Sequence, residues 1–258
     1  MQISSSSPDN VWILGSTRTG SYAALIYDGL RWRKMVAPAD GPLAVLASND
    51  VWVQGWPGCV SGATSCTTTV YHWDGTKWTS YSLPVYGLVL AGMAGHVWFI
   101  AAADIKRPVP PYPEIGREAV FRWSGSQWRS LRAPDHEIVG GIPAGVGPGG
   151  KLWLLADSVR ARRPHLDYWN GRRWSQFKGP HNSGEYPGEG VMSYDGHHGV
   201  WDGEEHWTGR RWIETAYPGA SVFGIAYVAH IPGTASVWGV GQESNDNRHV
   251  IAVYGRLP

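Results

Sequence analysis

The sequence predicts an all-β fold assembled from one repeated four-stranded unit, and three observations predict it. An apolar residue followed by tryptophan occurs six times, 37 to 55 residues apart, at Val11-Trp12, Val51-Trp52, Val97-Trp98, Leu152-Trp153, Val200-Trp201 and Val237-Trp238. A second motif of an aromatic residue, a small polar residue, glycine and then tryptophan occurs five times, as YDGLRW, HWDGTKW, RWSGSQW, YWNGRRW and HWTGRRW. The 34 glycines and 18 prolines, with only 17% charged residues, are typical of short strands joined by many turns.

This spacing is that of one four-stranded blade per repeat, so we expect a single β-propeller domain, 1–258, with six blades of about 40–50 residues. Blade 2 is the template, with PLAVLAS as strand a, DVWVQGW as b, TTVYHW as c and KWTSYSLP as d. Little sequence precedes strand b of blade 1 or follows strand c of blade 6. The first and last blades are therefore expected to be incomplete, and the ring closes either by packing of blade faces alone or through additional chain.

The second motif predicts the turn between strands c and d. Asp-Gly, Ser-Gly, Asn-Gly and Thr-Gly adopt positive φ at low cost, and the flanking aromatic residues can pair across the resulting hairpin. We expect the repeated tryptophans to pack between blades rather than to bind a ligand. They are Trp12, Trp32, Trp52, Trp78, Trp98, Trp128, Trp153, Trp174, Trp201, Trp212 and Trp238.

Charge and hydropathy restrict the partners. Lys plus Arg is 22 and Asp plus Glu is 21, so no global field attracts nucleic acid or an anionic membrane, and neither is predicted as a partner. No run of 18 apolar residues occurs, and the first ten residues lack the pattern of a signal peptide. The chain is expected to be either extracellular, as a mature chain without its signal peptide, or cytoplasmic. The oligomeric state is not predicted.

Cys59 and Cys66 lie between two predicted strands, and we expect them to form a disulfide that closes this loop, which favours an oxidising compartment. Two free thiols are the alternative. The acidic and histidine residues of YDGHHGVWDGEEHW suggest a metal site at first sight. However, Asp195 and His197 fall at one end of a strand and Glu204 at the other, roughly 17 Å away at 3.3 Å per residue. No metal or cofactor is predicted.

The motifs resemble repeats common in secreted actinobacterial proteins, in which a segment like SxDVWAVG is followed by one like HWDGTxWxxxxxP. The matching segments are SPDNVWILGS, SNDVWVQGW, TASVWGVGQ and HWDGTKWTSYSLP, and the resemblance covers almost the whole chain. It implies a propeller and no particular activity. The WDGxxW turn is also similar to WDGSxW segments of fucose-binding bacterial propeller lectins, which place sugars between blades. That resemblance implies sugar binding without assigning a contact to any residue here.

In a propeller the b–c and d–a connections share one face, here called the top face, while the a–b and c–d turns share the opposite, bottom face. The long loops of this sequence fall on the top face, where binding residues are expected. A proline-rich loop presents polar side chains with little entropy to lose, and RARRPH groups arginines that suit a carboxylate, phosphate or acidic sugar. The candidate ligand-binding residues are Arg107, Tyr112, Glu114, Arg117, Arg160, Arg162, Arg163, His165 and Tyr186.

His181, Glu185 and Glu189 lie in one d–a loop and are candidate catalytic residues, because a histidine and carboxylates near the channel could act as general acid and base. No common catalytic motif accompanies them. The sequence therefore favours a ligand-binding propeller, directed at a carbohydrate or another polar small molecule. A lyase, hydrolase or cyclase that uses these residues is the second hypothesis, and a protein-interaction or sensor domain is the third.

Overall fold

The computed structural model describes residues 2–59, 66–93, 95–103, 116–134, 137–138, 144–157, 164–179, 192–196, 198–202, 205–214, 223–232, 234, 237–243 and 249–254. These residues form six antiparallel sheets that follow one another along the chain. The innermost strands of consecutive sheets contact each other, so the sheets are the blades of a β-propeller. The predicted fold class is confirmed. In this part of the chain, no helix is long and apolar enough to cross a membrane.

Blade 1 contains β1 (Gln2–Ser7), β2 (Asn10–Ser16), β3 (Tyr22–Tyr27) and β4 (Trp32–Val36). Blade 2 contains β5 (Leu43–Ala47), β6 (Asp50–Gln54), the short β7 (Gly58–Cys59), β8 (Cys66–Trp73) and β9 (Trp78–Leu83). Blade 3 contains β10 (Tyr86–Met93), β11 (His96–Ala103), β12 (Gly116–Trp123), β13 (Trp128–Leu131) and the short β14 (Glu137–Ile138).

Blade 4 contains β15 (Ala144–Gly147), β16 (Lys151–Asp157), β17 (Pro164–Trp169) and β18 (Trp174–Lys178), with a 3-10 turn at Pro148–Gly150. Blade 5 contains β19 (Ser193–Tyr194), β20 (Val200–Asp202), β21 (Glu205–Trp207) and β22 (Trp212–Glu214). Blade 6 contains β23 (Phe223–His230), β24 (Val237–Glu243) and β25 (His249–Tyr254).

The first blade is complete, which corrects the expectation that both terminal blades lack strands. Gln2–Ser7 pairs with β2 along most of its length and forms a full inner strand. The serines of this segment gave a weak strand signal in the sequence, yet Ser4 and Ser5 suit an inner strand that borders the central channel. The last blade has three strands among the residues that the structure describes.

The repeated aromatic and glycine motif forms the c–d hairpins, as predicted. Its glycines all have φ between 83° and 98°; they are Gly29, Gly75, Gly125, Gly171 and Gly209. In blade 2 the Asp74 carboxylate accepts hydrogen bonds from the N–H groups of Thr76 and Lys77 at 2.8 and 2.9 Å. The rings of Trp73 and Trp78 pair across this hairpin with centroids 5.5 Å apart. The motif therefore specifies both the turn and the ring pair that flanks it.

The strand b tryptophans form the centre of the packing between blades. Five of them are at most 4% exposed, namely Trp12, Trp52, Trp98, Trp153 and Trp201, while Trp238 is half-buried. In blades 2 and 5 the opposite residue on strand c is a histidine that stacks on the indole, His72 at 4.2 Å and His206 at 4.0 Å between centroids. The structural role predicted for these strand b side chains is confirmed.

The ring closes by direct packing of blade 6 against blade 1. The inner strands β1 and β23 contact each other, and the Ser5 hydroxyl donates a hydrogen bond to the His230 carbonyl at 2.8 Å. Trp238 packs against the rings of Tyr27 and Trp32, with centroids 6.3 Å away in both cases. Blade-face packing, one of the two closures expected from the sequence, is therefore present in the structure.

Substitutions at two hairpin glycines can distinguish backbone strain in the turn from steric crowding by a neighbouring side chain. Gly75 and Gly171 have φ of 95° and 98°. An alanine at either position would be forced into this left-handed backbone conformation, which destabilises the folded state by about 1–2 kcal/mol. A Cβ at Gly75 would also lie 2.9 Å from the Asn49 Cβ, whereas a Cβ at Gly171 meets nothing within 4 Å. We expect Gly75→Ala to lower the free energy of unfolding by about 1 kcal/mol more than Gly171→Ala, measured by chemical denaturation. Equal losses would show that Asn49 does not constrain the hairpin.

Candidate functional site

The most exposed tryptophan of the described chain lies on the top face of blade 2. Strand β6 ends at Gln54, and Pro57 biases the preceding Trp56 towards an extended backbone, so the chain leaves the sheet at this point. The Trp56 side chain is 65% exposed. Within the described residues no other aromatic ring packs on it, in contrast to the paired tryptophans of the hairpins.

The d–a connection between blades 1 and 2 fixes the orientation of this indole. Gly41 passes so close to strand β6 that a Cβ at Gly41 would lie 2.4 Å from the Gln54 carbonyl oxygen. This close approach places Asp40 beside Trp56, whose indole N–H donates to the Asp40 Oδ1 at 2.8 Å. The ring is therefore both exposed and held, which is the arrangement of a preorganised binding platform.

A disulfide joins the two strands β7 and β8 that follow Trp56. Cys59 and Cys66 are bonded, as predicted, with their Cα atoms 4.3 Å apart. The two cysteines also pair through their backbones where β7 runs against β8. Cys66 is buried, with an exposed fraction of 3%. The exposed indole is thus anchored on one side by Asp40 and on the other by a cross-linked hairpin.

Most of the predicted site residues lie outside the described residues. This holds for the candidate catalytic residues His181, Glu185 and Glu189, and for the candidate binding residues Arg107, Tyr112, Glu114, Arg160, Arg162, Arg163 and Tyr186. Their roles stay predictions. The two that are described, Arg117 and His165, are not brought together with Trp56. Arg117 is exposed in strand β12, where its backbone pairs with Glu137.

His165 lies in strand β17 rather than in a loop, and only 8% of it is exposed. Its Nε2 lies 3.3 Å from the Asp167 Oδ2. The Gln176 amide donates to the other Asp167 oxygen at 3.3 Å. His165 is thus part of a buried polar cluster and does not face solvent in this structure.

A second buried carboxyl, Glu118 of strand β12, lies near this cluster between blades 3 and 4. It is 4% exposed, and neither of its carboxyl oxygens has a hydrogen-bond partner among the described residues. Burial raises the pKa of Glu118 well above its ordinary value, and the charge of Asp167 raises it further. A carboxyl in such a place holds a proton more readily than a surface glutamate does. No feature of the sequence singled out Glu118.

The bottom face contains two matching arrangements of aspartate, histidine and tryptophan. His72 Nε2 lies 3.0 Å from the Asp50 Oδ1, which also accepts the Trp52 indole N–H at 2.8 Å. In blade 5, His206 Nε2 lies 2.9 Å from the Asp195 Oδ2. Both histidines stack on the strand b indole of their own blade, so these aspartates fix the packing. Within the described residues, no group of three or more His, Cys, Asp or Glu side chains could hold a metal ion.

The central channel has a small cavity near the bottom face, where inner strands of five blades meet. Its lining includes the side chains of Ser4, Ser5, Met93, Met192 and His230. About 40 Å³ is open to the centre of a water molecule, which suffices for a few waters. Pockets for drug-sized ligands have roughly 300–1,000 Å³. This cavity is therefore too small for a ligand of that size.

Comparisons with known proteins give structural neighbours only. No protein-family model matches the sequence, and none of the curated proteins compared with it is significantly similar. The chain is similar in structure to the fucose-recognising lectin of the fungus Aleuria aurantia, which is described as a six-bladed β-propeller. That match has a TM-score of 0.59 at 13% identity, and covers 100% of this chain and 96% of the lectin.

Two further solved structures show the same likeness. A variant of the Aleuria lectin in complex with α-methyl-L-fucoside gives a TM-score of 0.59 at 14% identity, over 100% of this chain and 95% of the lectin. AofleA from Arthrobotrys oligospora gives a TM-score of 0.62 at 12% identity, over 99% of this chain and 83% of that protein. At such low identities these matches establish the propeller fold and leave the function open.

Proposed function

We propose that this protein is a carbohydrate-binding propeller that holds a sugar on its top face, with Trp56 as the stacking platform. The observation that carries the proposal is the indole of Trp56, 65% exposed and fixed by a 2.8 Å hydrogen bond to Asp40. A sugar ring combines an apolar C–H face with hydroxyl groups, so it fits a rigid aromatic surface bordered by polar groups. Solved neighbours that bind fucosides on the same fold support this class of ligand.

An extracellular location accompanies this proposal. The Cys59–Cys66 disulfide is of the kind that persists in oxidising compartments. Glycans are abundant ligands in the same surroundings, so compartment and ligand class agree. The enzyme hypothesis rests on His181, Glu185 and Glu189, which are outside the described residues, and it gains no support from the described geometry.

The test is a titration of the purified protein with methyl α-L-fucoside, methyl α-D-mannoside, methyl β-D-galactoside and N-acetylglucosamine, followed by tryptophan fluorescence and calorimetry. We expect at least one of these sugars to bind, and Trp56→Ala to weaken its affinity by about tenfold or more. The melting temperature of this variant should stay within about 2 °C of the native value, because the removed ring is mostly exposed.

Trp32 is the other exposed tryptophan and begins strand β4 at the bottom face, where its ring packs on Tyr27 and Trp238. Trp32→Ala is therefore the control at the opposite face, with its melting temperature measured to check that the variant stays folded. It should bind the same sugar with unchanged affinity. Asp40→Ala should weaken binding several-fold, because the indole loses its orienting hydrogen bond. If Trp56→Ala binds as tightly as the native protein, Trp56 is not the platform. If none of the sugars binds, the carbohydrate proposal itself is wrong.

A further inference from the structure

The bottom face carries an uneven distribution of charge. In blades 3 to 5, seven cationic side chains lie in or next to the a–b and c–d turns; they are Arg122, Arg129, Lys151, Arg172, Arg173, Arg210 and Arg211. Among the described residues of the same turns, Asp195 is the one acidic side chain. It points inward to His206 and to the N–H of Gly199. This sector, which we call the basic sector, therefore presents positive charge on a protein whose net charge is only +1.

The c–d turns of blades 1 and 2 contain aspartates at a position where the c–d turns of the basic sector have uncharged residues. These aspartates are Asp28 and Asp74, and Asp28 forms an ion pair with Arg33 at 3.1 Å. Hydrogen bonds from Thr76 and from the N–H of Lys77, with the Lys77 charge, lower the pKa of Asp74 to about 2, so this carboxylate is ionised beside Lys77. The a–b turns of the same blades add Asp9 and Asp50. The bottom-face turns of blades 1 and 2 therefore hold four carboxylates beside four cations, Arg31, Arg33, Lys34 and Lys77.

In blades 3 to 5 the same turn position holds Ser124, Asn170 and Thr208, which keep the turn hydrogen bonds without a charge. The Asn170 side chain accepts the N–H groups of Arg172 and Arg173 at 2.9 and 3.0 Å. Among the described residues of these c–d turns, no carboxylate therefore lies beside the arginines. In the described part of the chain, Arg172, Arg173, Arg210 and Arg211 are exposed and form no ion pair.

Two further arginines face each other directly. Arg122 and Arg129 are cross-strand partners in β12 and β13, an arrangement that repels when both side chains are charged. The Arg122 guanidinium packs over Trp98 and donates to the His96 Nδ1 at 2.6 Å. Burial, with the Arg122 charge, lowers the pKa of His96. This histidine is therefore neutral, and it accepts the hydrogen bond from Arg122 without adding a charge to the sector.

Neighbouring blades of the basic sector contact each other. A Cβ at Gly150 would lie 3.3 Å from the Arg122 Nη2, so the a–b turn of blade 4 touches the arginine of blade 3. Lys151 follows immediately. The Trp212 indole donates to the Lys178 carbonyl at 3.0 Å, which joins the outer strands of blades 4 and 5. The seven cations thus lie in or next to the bottom-face turns of three adjacent blades.

We propose that the basic sector binds a linear acidic polysaccharide that bears carboxylate or sulfate groups. Guanidinium groups bind such planar or tripodal oxyanions through paired hydrogen bonds. Cations spread over three blades match the repeated charges of a chain better than one small anion. This surface lies opposite Trp56, so the inference does not depend on the top-face sugar site.

The turns of this sector favour a polysaccharide over the other large anions. The large apolar side chains that are exposed in the described chain, such as Leu30 and Trp56, lie outside these turns, so nothing there inserts into a bilayer. Among the described residues of the sector, no exposed aromatic side chain offers a stacking surface for the bases of single-stranded nucleic acid. The disulfide also fits an extracellular partner better than a nucleic acid.

The experiment compares the full chain with two variants that each lose three positive charges. Arg172→Gln/Arg173→Gln/Arg210→Gln changes the basic sector, and Arg31→Gln/Arg33→Gln/Lys77→Gln changes blades 1 and 2 by the same net charge. Binding to polygalacturonate, dextran sulfate, uncharged dextran, anionic phospholipid vesicles and duplex DNA is measured by biolayer interferometry at several salt concentrations. Melting temperatures serve as a folding check.

We expect one of the acidic polymers to bind, the uncharged dextran not to bind, and affinity to fall as salt rises. The basic-sector variant should bind about tenfold more weakly, while the control variant stays within about twofold. If both variants lose affinity equally, the effect comes from the net charge of the protein, and the assignment of binding to the basic sector is wrong. Absence of binding to both acidic polymers, or tighter binding to anionic phospholipid vesicles or to DNA at the same salt concentration, would also overturn it.

Discussion

Trp52→Ala is expected to lower the free energy of unfolding by about 3–5 kcal/mol. Trp52 is 1% exposed and lies where blade 2 meets blade 3. Its ring stacks on His72 at 4.2 Å and contacts Trp123 and Trp128, with centroids 5.0 and 5.6 Å away. Truncation leaves a cavity at this interface and also leaves Asp50 without the indole N–H that it accepts. Denaturant unfolding followed by circular dichroism measures the loss.

Trp56→Ala provides the contrast for this measurement. The two tryptophans are four residues apart, but Trp56 is 65% exposed, and its loss should cost less than about 1 kcal/mol. If Trp52→Ala is as mild as Trp56→Ala, the aromatic cluster between blades 2 and 3 does not hold these blades together. The pair thus separates a residue that stabilises the ring from one that is proposed to bind a ligand.

The blades were predictable because the residues that determine each hairpin lie within a few positions of one another in every repeat. A hairpin such as HWDGTKW specifies a turn residue, a glycine with positive φ and two aromatic partners within a few residues. The strand b tryptophans follow the same period, and their burial follows from stacking one sheet on the next. The first blade was underestimated because polar serines in β1 carry no hydrophobic alternation, although their strand borders the channel.

The candidate site was less predictable because its contacts join distant parts of the chain. Trp56 belongs to neither repeated motif, and this departure is the one signal in the sequence that could have marked it. Its orientation depends on Asp40, which the chain brings back through the close approach of Gly41 to Gln54. A repeated pattern in the sequence does not reveal such a contact between a loop and a strand. The basic sector needed the structure as well, because its charges are scattered along the sequence and meet only on the bottom face.

The raised pKa of Glu118 could not be predicted from the sequence for the same reason, since it depends in part on Asp167 in the neighbouring blade. Either residue alone has an ordinary sequence context. Together they place two carboxyl groups in a buried interface, where one charge raises the pKa of the other group. Among the described groups of blade 4, Asp167 on β17 interacts with Glu118, and His165 of the same strand lies 3.3 Å from Asp167. Burying these groups costs stability that an apolar or neutral interface would retain.

Glu118→Gln is therefore expected to stabilise the protein at neutral and alkaline pH by about 1–4 kcal/mol. In the unfolded chain this carboxyl titrates near its ordinary pKa of 4.5, whereas its pKa in the folded protein is higher. Between these two values the folded protein binds more protons than the unfolded chain, so stability falls as the pH rises through this window. The advantage of glutamine should accordingly be small near pH 4 and should grow as the pH rises above 4.5.

Denaturant unfolding of both proteins at pH 4 to 8.5 tests this expectation, with Asp9→Asn as a control that removes one exposed carboxylate. The difference between Glu118→Gln and the native protein should widen with pH, while Asp9→Asn should follow the native curve. A glutamine variant that is less stable than the native protein at pH 8 would show that the ionised Glu118 has a stabilising partner. A constant difference at every pH would show that the pKa of Glu118 is the same in the folded and the unfolded protein, and that its effect is one of packing alone.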